Sequence, residues 1–317
     1  MDDKLNNYQL NSLVRHGSRS EFFADLLGRV IAECLDLGFD NEATIATTFE
    51  QLWLPVALNL AAKKQRSQTY IQGILGGQGT GKTTLCIILK LILDYLGFSV
   101  ASLSIDDLYL TYTEREELKL QDPRLIWRGP PGTHDIGLGL QTIEQCLQSD
   151  GNTKILMPRF DKSAYKGLGD RTNPEAIDKP DILLFEGWFV GVKPIAEDCF
   201  HNCPHPIVTE EDRQFAKDNN RRLQAYLPLW DKLDSTIVLY PEDYRLSQQW
   251  RKEAERKMMA TGKAGMSDEE IDRFVEYFWQ ALHPELFIKP LLKSADLVVE
   301  IKSDRSLGRI DRGKAIE

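Results

Sequence analysis

A glycine-rich turn that ends in lysine and threonine carries the clearest chemistry in this sequence. Residues 76–83 follow the pattern G-x-x-x-x-G-K-T, and a helical pattern begins at Lys82. Glycines let backbone N–H groups turn toward phosphate oxygens, and a helix N-terminus adds a positive dipole end. The turn predicts a site for ATP, with Lys82 at the β- and γ-phosphate oxygens and the Thr83 hydroxyl as a ligand of Mg²⁺. The predicted nucleotide contacts are Gly76, Gly77, Gln78, Gly79, Thr80, Gly81, Lys82, Thr83 and Thr84.

Acidic residues follow two other apolar runs. Asp106 and Asp107 come directly after residues 99–105, and Glu186 follows residues 182–185. A carboxylate at Asp106 could orient a hydroxyl nucleophile and accept its proton, although paired Asp residues also commonly cap turns and helices. A buried charge at Glu186 needs a specific reason, and we predict that it holds Mg²⁺ through the water shell of the ion. The alternative for Glu186 is a structural ion pair with a nearby cation.

The elements that must position these residues alternate from Tyr70 onward. Short apolar runs predict strands over residues 70–75, 99–105, 154–157, 182–185, 236–240 and 297–301, and helical patterns lie between most of them. Such alternation implies βαβ units around a parallel sheet. Ligands bind beyond the carboxyl ends of the strands in these sheets, so the residues that follow each strand are where chemistry is expected.

The residues before Tyr70 show a helical pattern. Ser18 has the spacing of a helix cap, apolar residues recur at i, i+3 and i+4 over 22–35, and Gly38 is a predicted helix end. A second helix is predicted over 42–54, with Pro55 kinking it or restarting it toward Ala62. The apolar stripe of the first helix is expected to pack on the core, and a dimer face is the alternative. The oligomeric state is therefore left open between monomer and homodimer.

The bulk composition limits the classes of function. The chain has 317 residues, a net charge of −9 and five scattered cysteines. This acidic balance argues against nucleic acid as a partner, because a nucleic-acid binder needs excess Lys and Arg. The cysteines fit a reducing cytosol, and we expect no membrane partner, since no run approaches the roughly 20 apolar residues of a membrane span. Residues 199–205 contain two Cys and two His, but their spacing matches no recognised zinc site, so we interpret them as a loop insertion.

The phosphate turn and the two acids at strand ends together resemble the phosphoribulokinase, uridine kinase and pantothenate kinase group of P-loop kinases. In that group the second strand ends in Asp-x-Phe-Tyr or a close variant, whose first residue is the catalytic base. Here Asp106 holds that position, with Leu108 in place of the aromatic residue and Tyr109 after it. The Glu-Gly pair that typically ends the Walker B strand matches 186–187, and 128–135 resembles the Gly-x-Pro…Asp segment of pantothenate kinases.

Further segments, spread over most of the chain, are similar to D-glycerate 3-kinases of the plant and cyanobacterial type. They are residues 52–55, 104–107, 131–135, 158–163, 169–171, 220–230 and 250–251. The resemblance implies a three-layer α/β P-loop kinase domain over 66–317, with a parallel central sheet and a helical lid over about 242–283, after an N-terminal helical extension over 1–65. It also implies ATP-dependent phosphorylation of D-glycerate to 3-phosphoglycerate, and photorespiration as the pathway. The plant transit peptide has no counterpart here, so we expect a cytoplasmic form.

D-glycerate carries a carboxylate, which needs a cation and preferably the bidentate fork of an arginine. The predicted substrate contacts are Tyr109, Arg128, Thr133, His134, Asp135, Arg159, Lys162 and Arg171. Each of the three arginines could instead make a surface ion pair, and His134 could either donate to a substrate oxygen or only satisfy the fold. The sequence leaves open which arginine binds the carboxylate.

The predicted lid contains a basic helical stretch over 242–257, a break over 261–265 and a new helix start at Ser267. Lid arginines of the kinase group close over the phosphates, so the resemblance implies that Arg251 acts as a catalytic residue together with Lys82 and Asp106. A solvated helix face with i, i+4 ion pairs is the alternative.

Two other functions stay open at this point. The protein could phosphorylate a different small alcohol, such as a nucleoside or a pantothenate-like compound, or it could be a nucleotide-binding regulatory ATPase. A regulatory GTPase would need an Asn-Lys-x-Asp motif to bind the guanine base, and the sequence contains no such motif.

Overall fold

The computed structural model describes residues 19–64, 68–260, 262 and 265–313. The predicted cap at Ser18, the rest of residues 1–18 and the predicted break at Thr261, Lys263 and Ala264 lie outside the described residues. None of the helices in the described part of the chain combines the length and apolar composition that a membrane span requires.

Eight strands and ten α-helices make up the regular structure of the described chain. The strands are β1 (Tyr70–Gly76), β2 (Val100–Ser104), β3 (Ile155–Asp161), β4 (Asp170–Ile177), β5 (Ile182–Gly187), β6 (Ser235–Pro241), β7 (Leu297–Ile301) and β8 (Leu307–Arg312). The helices are α1 (Arg19–Asp36), α2 (Glu42–Thr48), α3 (Leu54–Lys63), α4 (Lys82–Tyr95), α5 (Tyr112–Gln121), α6 (Ile136–Gln148), α7 (Glu210–Arg222), α8 (Leu227–Trp230), α9 (Leu246–Ala260) and α10 (Asp268–Ala281).

Six strands form a central sheet in the order β2-β5-β1-β6-β7-β8. The first five are parallel, and β8 pairs antiparallel with β7 at the edge. The predicted parallel sheet is thus confirmed. One strand was placed wrongly, because β3 pairs antiparallel with β4 in a separate two-stranded sheet. The strands β4 and β8 were not predicted, since both are largely polar and exposed and lack an apolar alternation.

Helices cover both faces of the central sheet, which gives three layers. In β5, Ile182 and Leu184 belong to a core shared with α1, α3 and α4, whereas Leu183 and Phe185 belong to a second core shared with α6 and α8. A strand that is buried on both faces reads as a continuous apolar run, and this is why β5 was recognisable from the sequence.

The helices that precede the sheet belong to the first of these cores. Leu26, Val30 and Cys34 of α1 are fully buried there, next to residues of α4, as the packing interpretation predicted. The predicted end of this helix is confirmed, because Gly38 takes a left-handed φ of +87°. The second predicted helix divides into α2 and α3 at a wide turn over Phe49–Trp53, immediately before Pro55.

Replacing Leu26 with alanine should lower the free energy of unfolding by about 2–5 kcal/mol, because the side chain is fully buried and leaves a cavity. Urea denaturation with an unchanged m value would measure the loss. Leu35→Ala in the same helix is the control: its side chain is 44% exposed, so the change should stay within about 0.5 kcal/mol. Equal effects of the two substitutions would contradict the packing of α1 on the core.

Candidate active site

The phosphate turn has the strand–turn–helix context that the motif requires. It leaves β1 at Gly76 and enters α4 at Lys82. The Thr80 hydroxyl and the Lys82 ammonium both donate to the carbonyl of Gly77, over 2.9 and 3.1 Å. No carboxylate of the described chain forms an ion pair with Lys82, so its charge is available to an anion above the turn.

One glycine of the turn is required by its contact with the lid. Gly79 has a left-handed φ of +78°, and a Cβ atom there would lie 2.7 Å from the Cβ of Trp250. Trp250 lies on α9 and is 1% exposed. The phosphate turn and the lid helix are therefore in direct contact, and only glycine allows this approach.

The strand order brings the two predicted acids to the phosphate turn. Because β5 pairs with both β1 and β2, Glu186 lies opposite Ile74 of one neighbour and Ser104 of the other. A cavity of about 1000 Å³ opens at this edge of the sheet, and its lining includes Lys82, Thr83, Asp106 and Glu186. The cavity lies beyond the carboxyl ends of the strands, where the sequence predicts the site.

The two neighbouring Asp residues have different tasks. Asp107 closes a capping box with Ser104, accepting a 3.0 Å hydrogen bond from the Ser104 amide, and it pairs with Arg159 at 3.3 Å. Asp106 faces the cavity instead. Its Oδ1 accepts from the Tyr109 hydroxyl over 2.8 Å, and its Oδ2 accepts from the Lys162 ammonium over 2.6 Å. The capping role that the sequence left open belongs to Asp107, whereas the carboxylate of Asp106 faces the cavity.

Asp106 is held as a carboxylate. Burial raises its pKa, but the charge and hydrogen bond of Lys162 and the hydrogen bond of Tyr109 outweigh this effect, so the pKa lies below its usual value. Glu186 differs, because burial raises its pKa and the opposing charge of Lys82 offsets only part of the increase. A cation next to Glu186 would favour its charged form.

His134 supports the residues around Asp106. It is buried, and burial lowers its pKa to about 3, so the ring is neutral. Its Nδ1 is 2.8 Å from the Tyr226 hydroxyl, and its ring stacks on Tyr109 with the ring centres 4.6 Å apart. The Tyr226 hydroxyl also accepts from the Gly132 amide over 2.8 Å. His134 thus fixes the ring whose hydroxyl binds Asp106, and it is not among the residues that line the cavity.

The three candidate arginines are not equivalent. Arg159 pairs with Glu175 and Asp107, and Arg171 pairs with Asp135 at 2.9 Å and donates to the Tyr109 carbonyl. Neither arginine lines the cavity, whereas Arg128 does.

The other predicted substrate contacts divide in the same way. Thr133 and Lys162 line the cavity with Arg128 and Tyr109. Asp135 instead caps α6 by accepting a hydrogen bond from the Leu138 amide over 2.9 Å.

The predicted lid corresponds to α9 and α10. Ion pairs between Lys252 and Asp272 and between Arg256 and Asp268 join the two helices. The predicted helix start at Ser267 is confirmed by a capping box. Arg251 lines the cavity, and its Nη2 lies 2.8 Å from a carboxylate oxygen of Glu255, which is 4% exposed.

Sequence reasoning missed several residues that line the cavity, among them Arg115, Lys166 and Glu255. Arg115 and Glu255 lie within charged helical stretches, where no apolar spacing distinguishes an inward-facing position. Residues 199–205 do not line the cavity. The described residues contain no group of three or more His, Cys, Asp or Glu side chains that could hold a metal ion.

The fold and the site define a P-loop kinase. No family model matches the sequence. The chloroplastic D-glycerate 3-kinase of Arabidopsis thaliana is 36% identical to this chain over 246 residues. These residues are 73% of this chain and 52% of that protein, so the chain spans about half the length of this relative. An uncharacterized kinase of Schizosaccharomyces pombe is 31% identical over 228 residues, which cover 68% of this chain and 80% of the relative.

Among solved structures, a D-glycerate 3-kinase from Cryptococcus neoformans is 26% identical and superposes with a TM-score of 0.69, over 81% of this chain and 97% of that one. The chain belongs to the family of P-loop kinases that contains these D-glycerate 3-kinases and the yeast kinase.

Replacing Lys162 with methionine should raise the pKa of Asp106, because the carboxylate loses a cation that favours its charged form. Tyr109→Phe should raise it less, since only a neutral hydrogen bond is lost. Carbon-13 NMR titration of labelled aspartate, assigned with Asp106→Asn, would measure both shifts. Lys154→Met, which removes an exposed ion pair with Asp178, is the control and should leave the titration of Asp106 unchanged. A fall in the pKa in Lys162→Met would contradict the assigned contact.

Proposed function

We propose that the protein transfers the γ-phosphoryl group of ATP to the 3-hydroxyl group of D-glycerate, giving 3-phosphoglycerate and ADP. The observation that carries the proposal is the ionised carboxylate of Asp106 in the same cavity as the phosphate turn. A base beside a phosphate site suits transfer to an alcohol. The names of the Arabidopsis and Cryptococcus relatives support D-glycerate as that alcohol.

In this reaction the acceptor oxygen attacks the γ-phosphorus while the bond to the β–γ bridging oxygen breaks. Asp106 takes the proton of the acceptor hydroxyl, and the electron pair of the broken bond stays on ADP. Lys82 and the amides of the phosphate turn bind the β- and γ-phosphate oxygens, and Arg251 adds a charge from the lid. Catalysis would then be mainly positioning and electrostatic stabilisation.

The acceptor hydroxyl must reach an oxygen of Asp106 that is occupied in this structure. Tyr109 is buried and held by His134, so its hydrogen bond to Oδ1 is fixed. The Lys162 side chain is 62% exposed, so it is the donor of the two that has room to move away from Oδ2. We therefore assign the acceptor to the Oδ2 side, where Lys162 stays close enough to bind a second substrate oxygen.

The site residues fit a magnesium ion. Thr83 and Glu186 both line the cavity, their oxygens are the hard donors that Mg²⁺ prefers, and burial of Glu186 favours a nearby cation. When bound, Mg²⁺ would neutralise charge on the phosphate oxygens.

Four statements of the sequence analysis stay predictions. They are the cytoplasmic location, the place in photorespiration, the division of the chain at residue 65 and the choice between monomer and homodimer.

A bulkier alcohol is the second candidate acceptor. Trp127, Phe274 and Phe278 line the cavity on the lid side, and they leave an apolar wall that D-glycerate alone would not need. A coupled assay of ADP release over D-glycerate, glycerol, uridine and pantothenate separates the candidates. ADP release that depends on another alcohol and not on D-glycerate would reassign the acceptor, and release that depends on none would contradict the transferase assignment.

Asp106→Asn should keep the affinity for ATP and lower kcat by about 10²–10⁴-fold, because the amide cannot accept the proton. Steady-state kinetics of ADP release and calorimetric titration with ATP measure the two effects. Asp178→Asn, a substitution at an exposed surface position, is the control and should leave both unchanged. Near-normal turnover in Asp106→Asn would rule out the carboxylate as the base.

A further inference from the structure

The basic side chains of the cavity differ in whether they are neutralised. They are Lys82, Arg115, Lys119, Arg128, Lys162, Lys166 and Arg251. Three of them form ion pairs, because Lys119 pairs with Glu116, Lys162 with Asp106 and Arg251 with Glu255. Lys82 belongs to the phosphate turn. This leaves Arg115, Arg128 and Lys166, which have no carboxylate within 4.0 Å among the described residues.

Two of these cations converge on the turn that connects β3 and β4. Arg115 donates to the carbonyls of Leu168 and Gly169 over 2.7 and 2.5 Å, and also to the carbonyl of Leu110. Arg128 donates through Nη1 to the carbonyls of Gly167 and Leu168 over 2.8 and 2.9 Å. The two guanidinium groups thus share one carbonyl oxygen.

This arrangement is costly without an anion. Arg115 is 6% exposed, and a buried charge without a countercharge is unfavourable. Burial and the charge of Arg128 lower the pKa of Arg115, and the charges of Asp170 and Glu116, which lie beyond ion-pair distance, offset only part of this decrease. The turn carbonyls supply dipoles, but they supply no net negative charge. A bound carboxylate would offset the repulsion between the two arginines.

The two arginines have different freedom to bind a ligand. Arg115 uses both Nη atoms on backbone carbonyls, so it holds the turn and contributes charge. Arg128 uses only Nη1, and no hydrogen bond of the described chain involves its Nε or Nη2. The edge formed by Nε and Nη2 is the one that binds a carboxylate in a bidentate manner.

A tyrosine connects this cluster to Asp106. The Arg128 guanidinium lies over the ring of Tyr109, 5.9 Å from its centre, and the hydroxyl of that ring binds Asp106 over 2.8 Å. The ring of Tyr109 thus contacts the Arg128 guanidinium and, through its hydroxyl, the base. A short hydroxy acid has its alcohol and its carboxylate a few bonds apart, as an acceptor that contacts both groups beside one aromatic ring requires.

We propose that Arg128, supported by Arg115, is the receptor for the carboxylate of a short hydroxy-acid acceptor and sets the preference for an anionic acceptor over a neutral one. The inference rests on the proposed function. It excludes Arg159 and Arg171 from this role, because carboxylates of the chain itself neutralise both of them outside the cavity.

Steady-state kinetics of wild type, Arg128→Met and Arg128→Lys with D-glycerate and with glycerol test the inference. Arg128→Met should raise KM for D-glycerate about 10–100-fold, because a charged hydrogen-bonding partner is lost. Its KM for ATP should stay within twofold, and the ratio of kcat/KM for D-glycerate to kcat/KM for glycerol should fall by at least tenfold. Arg128→Lys should recover part of the loss, and a thermal melt would show that both variants fold. Arg309→Met, at an exposed ion pair on β8, is the control.

The outcomes separate the receptor from the reaction. If wild type phosphorylates D-glycerate and Arg128→Met does so with an unchanged KM, the receptor assignment is wrong and the proposed function stands. If wild type does not phosphorylate D-glycerate, the proposed function is wrong. Calorimetric titration of both proteins with D-glycerate then tests whether Arg128 binds the carboxylate. Binding that Arg128→Met abolishes would support this assignment, whereas equal binding by both proteins, or no binding by wild type, would overturn it.

Discussion

The position of β5 between β1 and β2 is the constraint on which the site depends. This pairing places the phosphate turn, Glu186 and Asp106 at the carboxyl ends of three adjacent strands, although they lie far apart in the sequence. The backbone ladder fixes these positions to within the register of the strands, so the site needs little further support. The 3₁₀ turn after β2 then directs Asp106 into the cavity, because Asp107 satisfies the backbone of that turn.

Charge balance decides what each part of the cavity can bind. The phosphate turn offers amide groups and an unpaired Lys82, which suit a polyanion. Next to it, Asp106 stays charged because two donors bind it, and one of them is exposed enough to move. Arg115 and Arg128 also line the cavity, and neither has a carboxylate within 4.0 Å among the described residues. The charges of these three parts of the cavity suit a nucleoside triphosphate, an alcohol and a carboxylate, respectively.

The sequence predicted the parts of this arrangement that depend on local chemistry. The phosphate turn needs glycines at fixed spacing, and β5 needs an apolar run, so both were recognisable. The choice among Arg128, Arg159 and Arg171 was not predictable, because it depends on carboxylates that come close only in the folded chain. Arg115 was missed because two of its three carbonyl partners, those of Leu168 and Gly169, are more than 50 positions away in the sequence. The strand β4 was missed because a polar hairpin outside the core leaves no apolar pattern.

The contact between Trp250 and Gly79 joins the phosphate turn to α9, the helix that carries Arg251. Trp250 fills the space that a side chain at Gly79 would need, and Arg251 follows directly on the same helix. A change in the backbone of the phosphate turn on nucleotide binding must therefore move Trp250 or be resisted by it. Any movement of Trp250 is transmitted to Arg251, whose guanidinium is held by the buried Glu255. A phosphate near Arg251 would compete with Glu255 for the same charge. The packing of Trp250 on Gly79 and the ion pair of Arg251 thus concern two neighbouring residues of α9, and close-fitting contacts of this kind transmit strain between the elements that they join.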